Sequence, residues 1–486
     1  MTEKRLHICL ISEGSYPYVI GGTGAWTQQL IQTLPDMDFT IVAISASARK
    51  SSERRYPTLP NIRQIIDVAL DDDSIVRQGM RRPHRSGRQL RRTWETMGRT
   101  YRAIMRDEYD QFASLYGVVR RELSVRDLFQ SFEHWHLVEH YYRMLTPIEP
   151  FMDFYYTWRF THLVLYRLMR MDLPVADVYH PIASGFAGFA GVCGKLLRGG
   201  GLIVTEHGLY TRERELEISS SDWFRGYQKD FLTGLFDKIN RLVYTSSDAI
   251  VSLFEDARAA QVKLGAPADR TVVIPNGVDS AHLSGIPRGA DHDDVIRIGL
   301  VGRVVPVKDV RAFIESAKIV AETVPSAEFH IIGPVDEEPD YAESCRELVR
   351  QLQLEDRVRF TGYQRPEEYL PSLDIVALTS LKEAQPFSIL EAMACGIPVV
   401  ATRTGSLPEL LDEVGRLVWP RDVQGFAEAM IELARDRDLR HRLGAAGQER
   451  VRTRYDQRAN LEQYRTWYTA LASRAAAHSA DAGASR

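Results

Sequence analysis

With 486 residues, 44% of them hydrophobic, the chain is long enough to bury more than one core, and its length implies two to four domains. A formal net charge of -4 at pH 7 argues against a protein that coats nucleic acid, which needs concentrated positive charge. The four cysteines, Cys9, Cys193, Cys345 and Cys395, lie far apart with no C-x-x-C pair, so they indicate neither a disulfide framework nor a zinc site.

The first ten residues pass from charged positions into a strand-like run and lack the apolar stretch and cleavage site of a secretory signal. Residues 6–12 and 39–44 are predicted strands, with a helix over 25–34 between them, and a strand at 62–68 follows. From about 77 to 173 the chain carries Arg, aromatics and Met at helical spacing with few turn signals, which predicts a helical insertion. Strands resume at 202–205, 249–253 and 271–274. Ahead of them, residues 186–197 are the best candidate for a membrane segment, yet the stretch is too short, glycine-laced and interrupted by Lys195 to span one. The Gly, Pro, Asp and His of 276–294 read as a linker, placed at 281–294. Beyond it, short β-branched runs at 296–301, 329–332, 358–360, 375–378, 398–401 and 417–419 alternate with helical stretches such as 310–322 and 341–352. This rhythm predicts βαβ units and a parallel sheet covered on both faces. The expected layout is an N-terminal Rossmann-like domain over 1–280, a C-terminal one over 295–455, a helix at 456–472 packing back on the first domain, and a disordered tail at 473–486. Such domains bind ligands on loops at the carboxyl ends of their strands, and a cytoplasmic location is expected.

Four loops at predicted strand ends carry chemistry. After strand 296–301, Arg303 and Lys308 precede a helix whose free N–H groups and dipole favour anions. The pair suits a diphosphate, with solvated surface cations as the alternative. After strand 375–378, Glu383 lies in the loop and Glu391 in the helix that Pro386 opens. The N–H groups of Phe387, Ser388 and Ile389 at that helix start face phosphate or sugar oxygens in this reading. After strand 6–12, Gly21, Gly22 and Thr23 lead into a helix, and glycine lets backbone approach a ligand closely. After strand 202–205, His207 either hydrogen-bonds a sugar hydroxyl or is satisfied structure.

Taken jointly and in this order, these loops resemble the family 4 glycosyltransferases, retaining enzymes of the GT-B fold. The sequences of residues 276–279 (Asn-Gly-Val-Asp) and 396–402 match as well. The resemblance implies an α/β chain of two Rossmann-like domains facing across a cleft. It further implies that Arg303 and Lys308 hold the donor diphosphate, that Glu391 holds the ribose, and that Glu383 and His207 contact the transferred sugar. Residues 13–18 and 206–214, with the insertion, are similar to the glycosyltransferases of Pel exopolysaccharide synthesis. That similarity implies a UDP-sugar donor, UDP-glucose foremost, and a polysaccharide or glycan acceptor. Ala384 stands where the family has glycine, a change the turn tolerates if it avoids positive φ. Thr23-Gly24-Ala25 departs from the family pattern and leaves the acceptor open.

Similar enzymes react on one sugar face, the departing diphosphate taking the acceptor's proton. No second carboxylate suited to double displacement is identifiable. No Asp-x-Asp motif is placed to hold a metal, and the run Asp71-Asp72-Asp73 reads as a solvated loop, so metal independence and no cofactor beyond the donor are expected. Two other readings compete: a nicotinamide oxidoreductase, which the missing G-x-G-x-x-G disfavours, and a non-catalytic nucleotide-sugar-binding subunit of a polysaccharide synthase. Arg77, Arg81, Arg82, Arg85, Arg88, Arg91 and Arg92 form either a solvated segment or a docking patch for an acidic partner, an anionic acceptor or the inner membrane surface. An inner-membrane synthase complex is accordingly an expected partner.

Overall fold

The computed structural model describes residues 5–71, 88–146, 148–287 and 295–484. The chain divides into two compact units. The first comprises Met1–Ser252, Arg258–Val272 and Tyr464–Arg486, and the second Leu253–Ala257 and Val273–Gln463. Asp72, Asp73, Arg77, Arg81, Arg82 and Arg85 lie outside the described residues, while Arg91 and Arg92 are exposed on the helix Arg88–Met105. No helix among the described residues is long and apolar enough to cross a membrane.

Unit 1 is a seven-stranded sheet built from β1 (His7–Glu13), β2 (Asp38–Ser45), β3 (Ile62–Ala69), β4 (Val178–Pro181), β5 (Gly201–Thr205), β6 (Ala249–Ser252) and β7 (Thr271–Val273). Its order is β3-β2-β1-β4-β5-β6-β7, and the pairs from β3 to β6 are parallel. Ile8, Cys9, Leu10 and Ile11 of β1 are at most 1% exposed, the continuous burial that a parallel sheet covered on both faces imposes. Between β3 and β4 the insertion is helical, its longest members being Arg88–Met105, Phe132–Leu145 and Phe151–Arg170. Trp94, Tyr141, Phe154 and Trp158 from these helices share one core with Cys9, Ile11 and Val42 of the sheet. The insertion is therefore packed into the unit.

Strand β4 was absent from the sequence expectations, although it sits beside β1 at the centre of the sheet. A four-residue Val-Tyr-His-Pro run carries neither alternation nor a β-branched cluster, and proline demotes a strand reading. The structure accommodates it through partners distant in sequence. Buried His180 meets the Tyr468 hydroxyl through Nδ1 (2.6 Å) and Thr205 through Nε2 (2.8 Å), and Tyr464 meets Thr205 at 3.1 Å.

Those tyrosines lie on the helix Gln457–Ala484, which corrects the expectation of a disordered tail from 473. Alanines in this stretch have the highest helix propensity, and they carry the helix through Ala484. The linker reading of 281–294 is also corrected at its start. Residues 280–284 form the helix Ser280–Ser284, capped by the Asp279 carboxylate on the His282 N–H (2.9 Å). Val278 donates its N–H to the Tyr455 carbonyl (3.0 Å), and Val278 and Leu283 are buried in a unit 2 core. A turn-rich composition there reflects capping, with the chain already anchored in unit 2.

Unit 2 is a six-stranded sheet of β8 (Ile296–Val301), β9 (Ala327–Ile332), β10 (Val358–Gly362), β11 (Ile375–Leu378), β12 (Val399–Thr402) and β13 (Arg416–Val418), in the order β10-β9-β8-β11-β12-β13. Every pairing is parallel. Its two faces carry separate cores, one including Ile298, Leu300, Phe313 and Phe329 and the other Leu378, Ile389, Met393 and Leu410. Strand order reverses between β1 and β4 in unit 1 and between β8 and β11 in unit 2. In open α/β sheets such reversals mark where a ligand binds, beyond the carboxyl ends of the strands.

Candidate active site

At the reversal in unit 2, the loop after β8 meets the loop after β11. The first loop makes a single 3-10 turn at Pro306–Lys308, and Asp309 then takes a left-handed conformation (φ 47, ψ 50) before the helix Val310–Thr323. The Thr379 hydroxyl donates to the carbonyls of Lys308 (3.0 Å) and Asp309 (2.9 Å), and the Leu381 N–H donates to the Val307 carbonyl (2.8 Å). With the loops stitched in this way, Lys308 Nζ donates to Glu383 Oε1 at 2.5 Å, the side chains being 15% and 10% exposed. A cation and a carboxylate at a strand-order reversal thus satisfy each other.

Gly405 fixes the Glu383 loop from the other side. It has φ +56, and a Cβ there would lie 2.0 Å from the Glu383 carbonyl oxygen; beside it, the Ser406 N–H donates to the Ala384 carbonyl (2.8 Å). Only glycine permits both the conformation and the approach. Ala384 itself is not among the positive-φ residues, so alanine meets no backbone strain at this position. The Asn276 N–H donates to Gln385 Oε1 (2.5 Å), which ties the 276–279 segment to the same loop.

Arg303 does not join Lys308. Its Nη1 donates to both oxygens of Glu337 (2.5 and 2.7 Å), and both side chains are 49% exposed. The helix Phe387–Ala394 begins at Pro386, and the N–H groups of Phe387 and Ser388 find no acceptor among the described residues, whereas the Ile389 N–H donates to the Pro386 carbonyl (3.3 Å). Farther along, Glu391 Oε2 accepts from the Tyr369 hydroxyl (3.2 Å). Burial pushes the Glu391 carboxyl up to about 7, opposed by Tyr369 and reinforced by Glu367. Glu337, Tyr369 and Gly405 escaped the sequence reading, since each acts through a contact distant along the chain. Among the described residues no group of three or more His, Cys, Asp or Glu is placed to hold a metal ion.

In unit 1, Gly21 and Gly22 are exposed and Thr23 half-buried. Gly21 exchanges hydrogen bonds with the Tyr56 hydroxyl (3.2 and 3.3 Å). The glycine held by sterics is Gly24, where a Cβ would lie 2.6 Å from the Tyr56 hydroxyl oxygen. His207 is half-buried with its ring edge-on to Trp26 (centroids 4.6 Å apart). Its Nε2 has no hydrogen-bond partner among the described residues, and burial pushes its pKa down to about 4, so the ring is neutral at pH 7. Neighbouring Glu206 is consumed by structure. It accepts from Ser184 (2.5 Å), Gln261 (2.7 Å), the Tyr244 hydroxyl and the Tyr210 N–H (3.4 Å).

Residues 6–269 match the family described as Domain of unknown function (DUF3492), and residues 296–436 match Glycosyl transferases group 1. Among curated relatives, N-acetyl-alpha-D-glucosaminyl L-malate synthase of Bacillus anthracis is 36% identical over 36% of this chain and 44% of its own length. The colanic acid biosynthesis glycosyltransferase WcaL of Escherichia coli, named as putative, is 26% identical over 56% of this chain and 68% of its own. The chain spans less than half the length of the Bacillus relative and 37% of a D-inositol 3-phosphate glycosyltransferase of Corynebacterium jeikeium. Among solved structures, sucrose-phosphate synthase of Thermosynechococcus elongatus superposes with a TM-score of 0.61 at 18% identity, covering 96% of this chain and 99% of the other. Anabaena HepE in complex with UDP-glucose gives 0.59 at 16% identity, covering 96% and 100%. These likenesses establish the fold class as GT-B, with two Rossmann-like units. The chain belongs to the DUF3492 family, and residues 296–436 of its second unit match the group 1 glycosyl transferases.

Proposed function

We propose that this protein is a retaining family 4 glycosyltransferase of the PelF type, moving a hexosyl group from a UDP-sugar, UDP-glucose foremost, to a glycan acceptor in exopolysaccharide synthesis. The observation that carries the reading is the Lys308–Glu383 pair at the strand-order reversal of unit 2 (2.5 Å), followed in the chain by a helix start with free N–H groups and by Glu391. Cation, helix N-terminus and acceptor carboxylate are the three groups that diphosphate, sugar and ribose require. Relatives named for colanic acid and amylovoran biosynthesis support the acceptor class, and the HepE complexes with UDP and UDP-glucose support the donor.

In this reading the bond between the anomeric carbon and the diphosphate oxygen breaks, and the acceptor oxygen bonds to that carbon on the same face. The acceptor's proton passes to the departing diphosphate. Lys308, Arg303 and the free N–H groups of Phe387 and Ser388 stabilise the charge that develops there, the electrostatic contribution that dominates such catalysis. Glu383 exchanges Lys308 for a sugar hydroxyl, Glu391 takes the ribose, and neutral His207 offers Nε2 to the transferred sugar. The reading assigns no metal, so activity is expected to persist in EDTA.

The test is a thermal-shift screen of UDP-, GDP- and ADP-sugars, followed by assay of donor hydrolysis and transfer. A ligand at a hundred times its Kd stabilises by about 2.7 kcal/mol. A shift specific to UDP-sugars together with turnover supports the proposal. No shift with any nucleotide sugar at millimolar concentration would overturn it.

A further inference from the structure

Glu391 is half-buried, and among the described residues its carboxylate has one hydrogen-bond donor, the Tyr369 hydroxyl, at 3.2 Å from Oε2. Tyr369 ends the short helix Pro366–Tyr369 and is 3% exposed. Its ring lies in the same core as Leu370, Ile389 and Met393. A side chain so placed could serve the core equally well as phenylalanine. The hydroxyl adds only a group that must be desolvated and then satisfied. Its partner is Glu391, and Oε1 of that carboxylate accepts no hydrogen bond from the described residues.

We propose that Tyr369 is a positioning residue for nucleotide recognition, holding Glu391 Oε2 so that the remaining acceptor sites receive the vicinal hydroxyls of a ribose. The inference rests on the reading of Glu391 under Proposed function. An ionised carboxylate offers about four lone-pair sites, enough for the tyrosine and a diol together. Without a fixed donor its terminal torsion is broad, because a bond from an sp3 to an sp2 centre has no sharp wells. One buried phenol removes that freedom before the ligand arrives, which preorganises the site. The same hydroxyl favours the ionised form against the burial that opposes it, and the ionised form is the one that accepts from both ribose hydroxyls.

Calorimetric Kd values for UDP and 2′,3′-dideoxy-UDP, measured on the full chain, test this. The wild type is expected to prefer UDP by at least about tenfold, the worth of one hydrogen bond to a charged group. Tyr369→Phe should shrink that preference to a few-fold and leave the dideoxy affinity unchanged, which also reports an intact phosphate site and fold. Glu391→Gln should shrink it likewise. A Tyr369→Phe variant that keeps the wild-type preference, or loses both nucleotides equally, overturns the inference while the reading of Glu391 stands. A wild type with no preference overturns that reading first and the inference with it.

Discussion

Glu391 is held in the folded protein with its carboxyl at about 7, chiefly by burial, whereas an ordinary glutamate lies near 4.5. Between those two values the folded chain binds more protons than the unfolded one, so stability falls as pH rises through the window. The loss is complete above about 7 and absent below about 4.5. At 1.36 kcal/mol per pH unit the gap amounts to about 3 kcal/mol. Replacing Glu391 with Gln keeps the size and an oxygen that can accept from Tyr369, but removes the charge. Glu391→Gln should therefore stabilise the ligand-free protein by about 3 kcal/mol at pH 8 and by under about 1 kcal/mol at pH 5. For a unit of about 200 residues this is a rise of roughly 6–12 °C in Tm at pH 8. Scanning calorimetry of both proteins at the two pH values measures it. An equal shift at pH 5 and pH 8, or a lower Tm at pH 8, would refute the assignment of a costly buried charge. The same variant should bind UDP more weakly, a trade of stability against binding that a purely structural carboxylate would not show.

Arg303→Ala and Lys308→Ala should each weaken UDP binding by about 1.5–3 kcal/mol, and unchanged affinity by calorimetry would remove the residue from the phosphate site. Lys308→Ala should also lower the ligand-free Tm more than Arg303→Ala, because it strands the little-exposed Glu383 while the Arg303–Glu337 pair is half-exposed; equal Tm values would contradict this. Glu337→Gln should tighten UDP by roughly two- to fivefold, since it removes a competitor for the Arg303 guanidinium worth at most about 1 kcal/mol; weaker binding would show that Glu337 assists the ligand. Glu383→Ala should abolish turnover while UDP still binds, and parallel loss of UDP affinity would place Glu383 on the nucleotide.

Much of the sheet architecture was legible because parallel strands covered on both faces are written as apolar runs. In β8, Ile298 and Leu300 are fully buried beside Phe313 and Phe329, and a β-branched run followed by a helical period specifies that packing locally. Strand β4 was illegible for the opposite reason. His180 is tolerable in a central strand only because Thr205, Tyr464 and Tyr468 surround it, and Tyr468 lies 288 positions away. The loops bearing Lys308, Glu383 and Glu391 could be found from strand ends and residue type. Which charges meet there could not, since the Arg303–Glu337 pair spans 34 positions and the Tyr369–Glu391 contact 22. The segment 276–286 misled because Asn, Gly, Asp and Ser cap helices as readily as they make linkers. Here Asp279 caps one.

The two units share a reversal of strand order but use it differently, and the difference lies in their carboxylates. In unit 1, Glu13 at the end of β1 accepts from the Ala187 N–H (3.1 Å), at the start of the helix Phe186–Arg198, and from the Tyr210 hydroxyl (2.8 Å). Its oxygens occupy that helix start, where a ligand anion would otherwise go, so the N–H of Ala187 is already answered. Glu206, at the end of β5, is 3% exposed and has four donors. In unit 2, Glu383 has the Lys308 ammonium and Glu391 the Tyr369 hydroxyl, and the N–H groups of Phe387 and Ser388 have no acceptor among the described residues. An acid saturated by the fold has little left to offer a ligand. An acid held by one donor at a strand-order reversal keeps lone pairs free. Burial raises the carboxyl of Glu391 as it does those of Glu13 and Glu206, so the single donor is what sets Glu391 apart. That asymmetry favours unit 2 over unit 1 for nucleotide binding in the proposed reaction. In the proposed reaction unit 1 is left to offer neutral groups, the exposed Gly22 and the buried Nε2 of His207, which has no partner among the described residues, and such groups suit hydroxyl-bearing sugars better than phosphates.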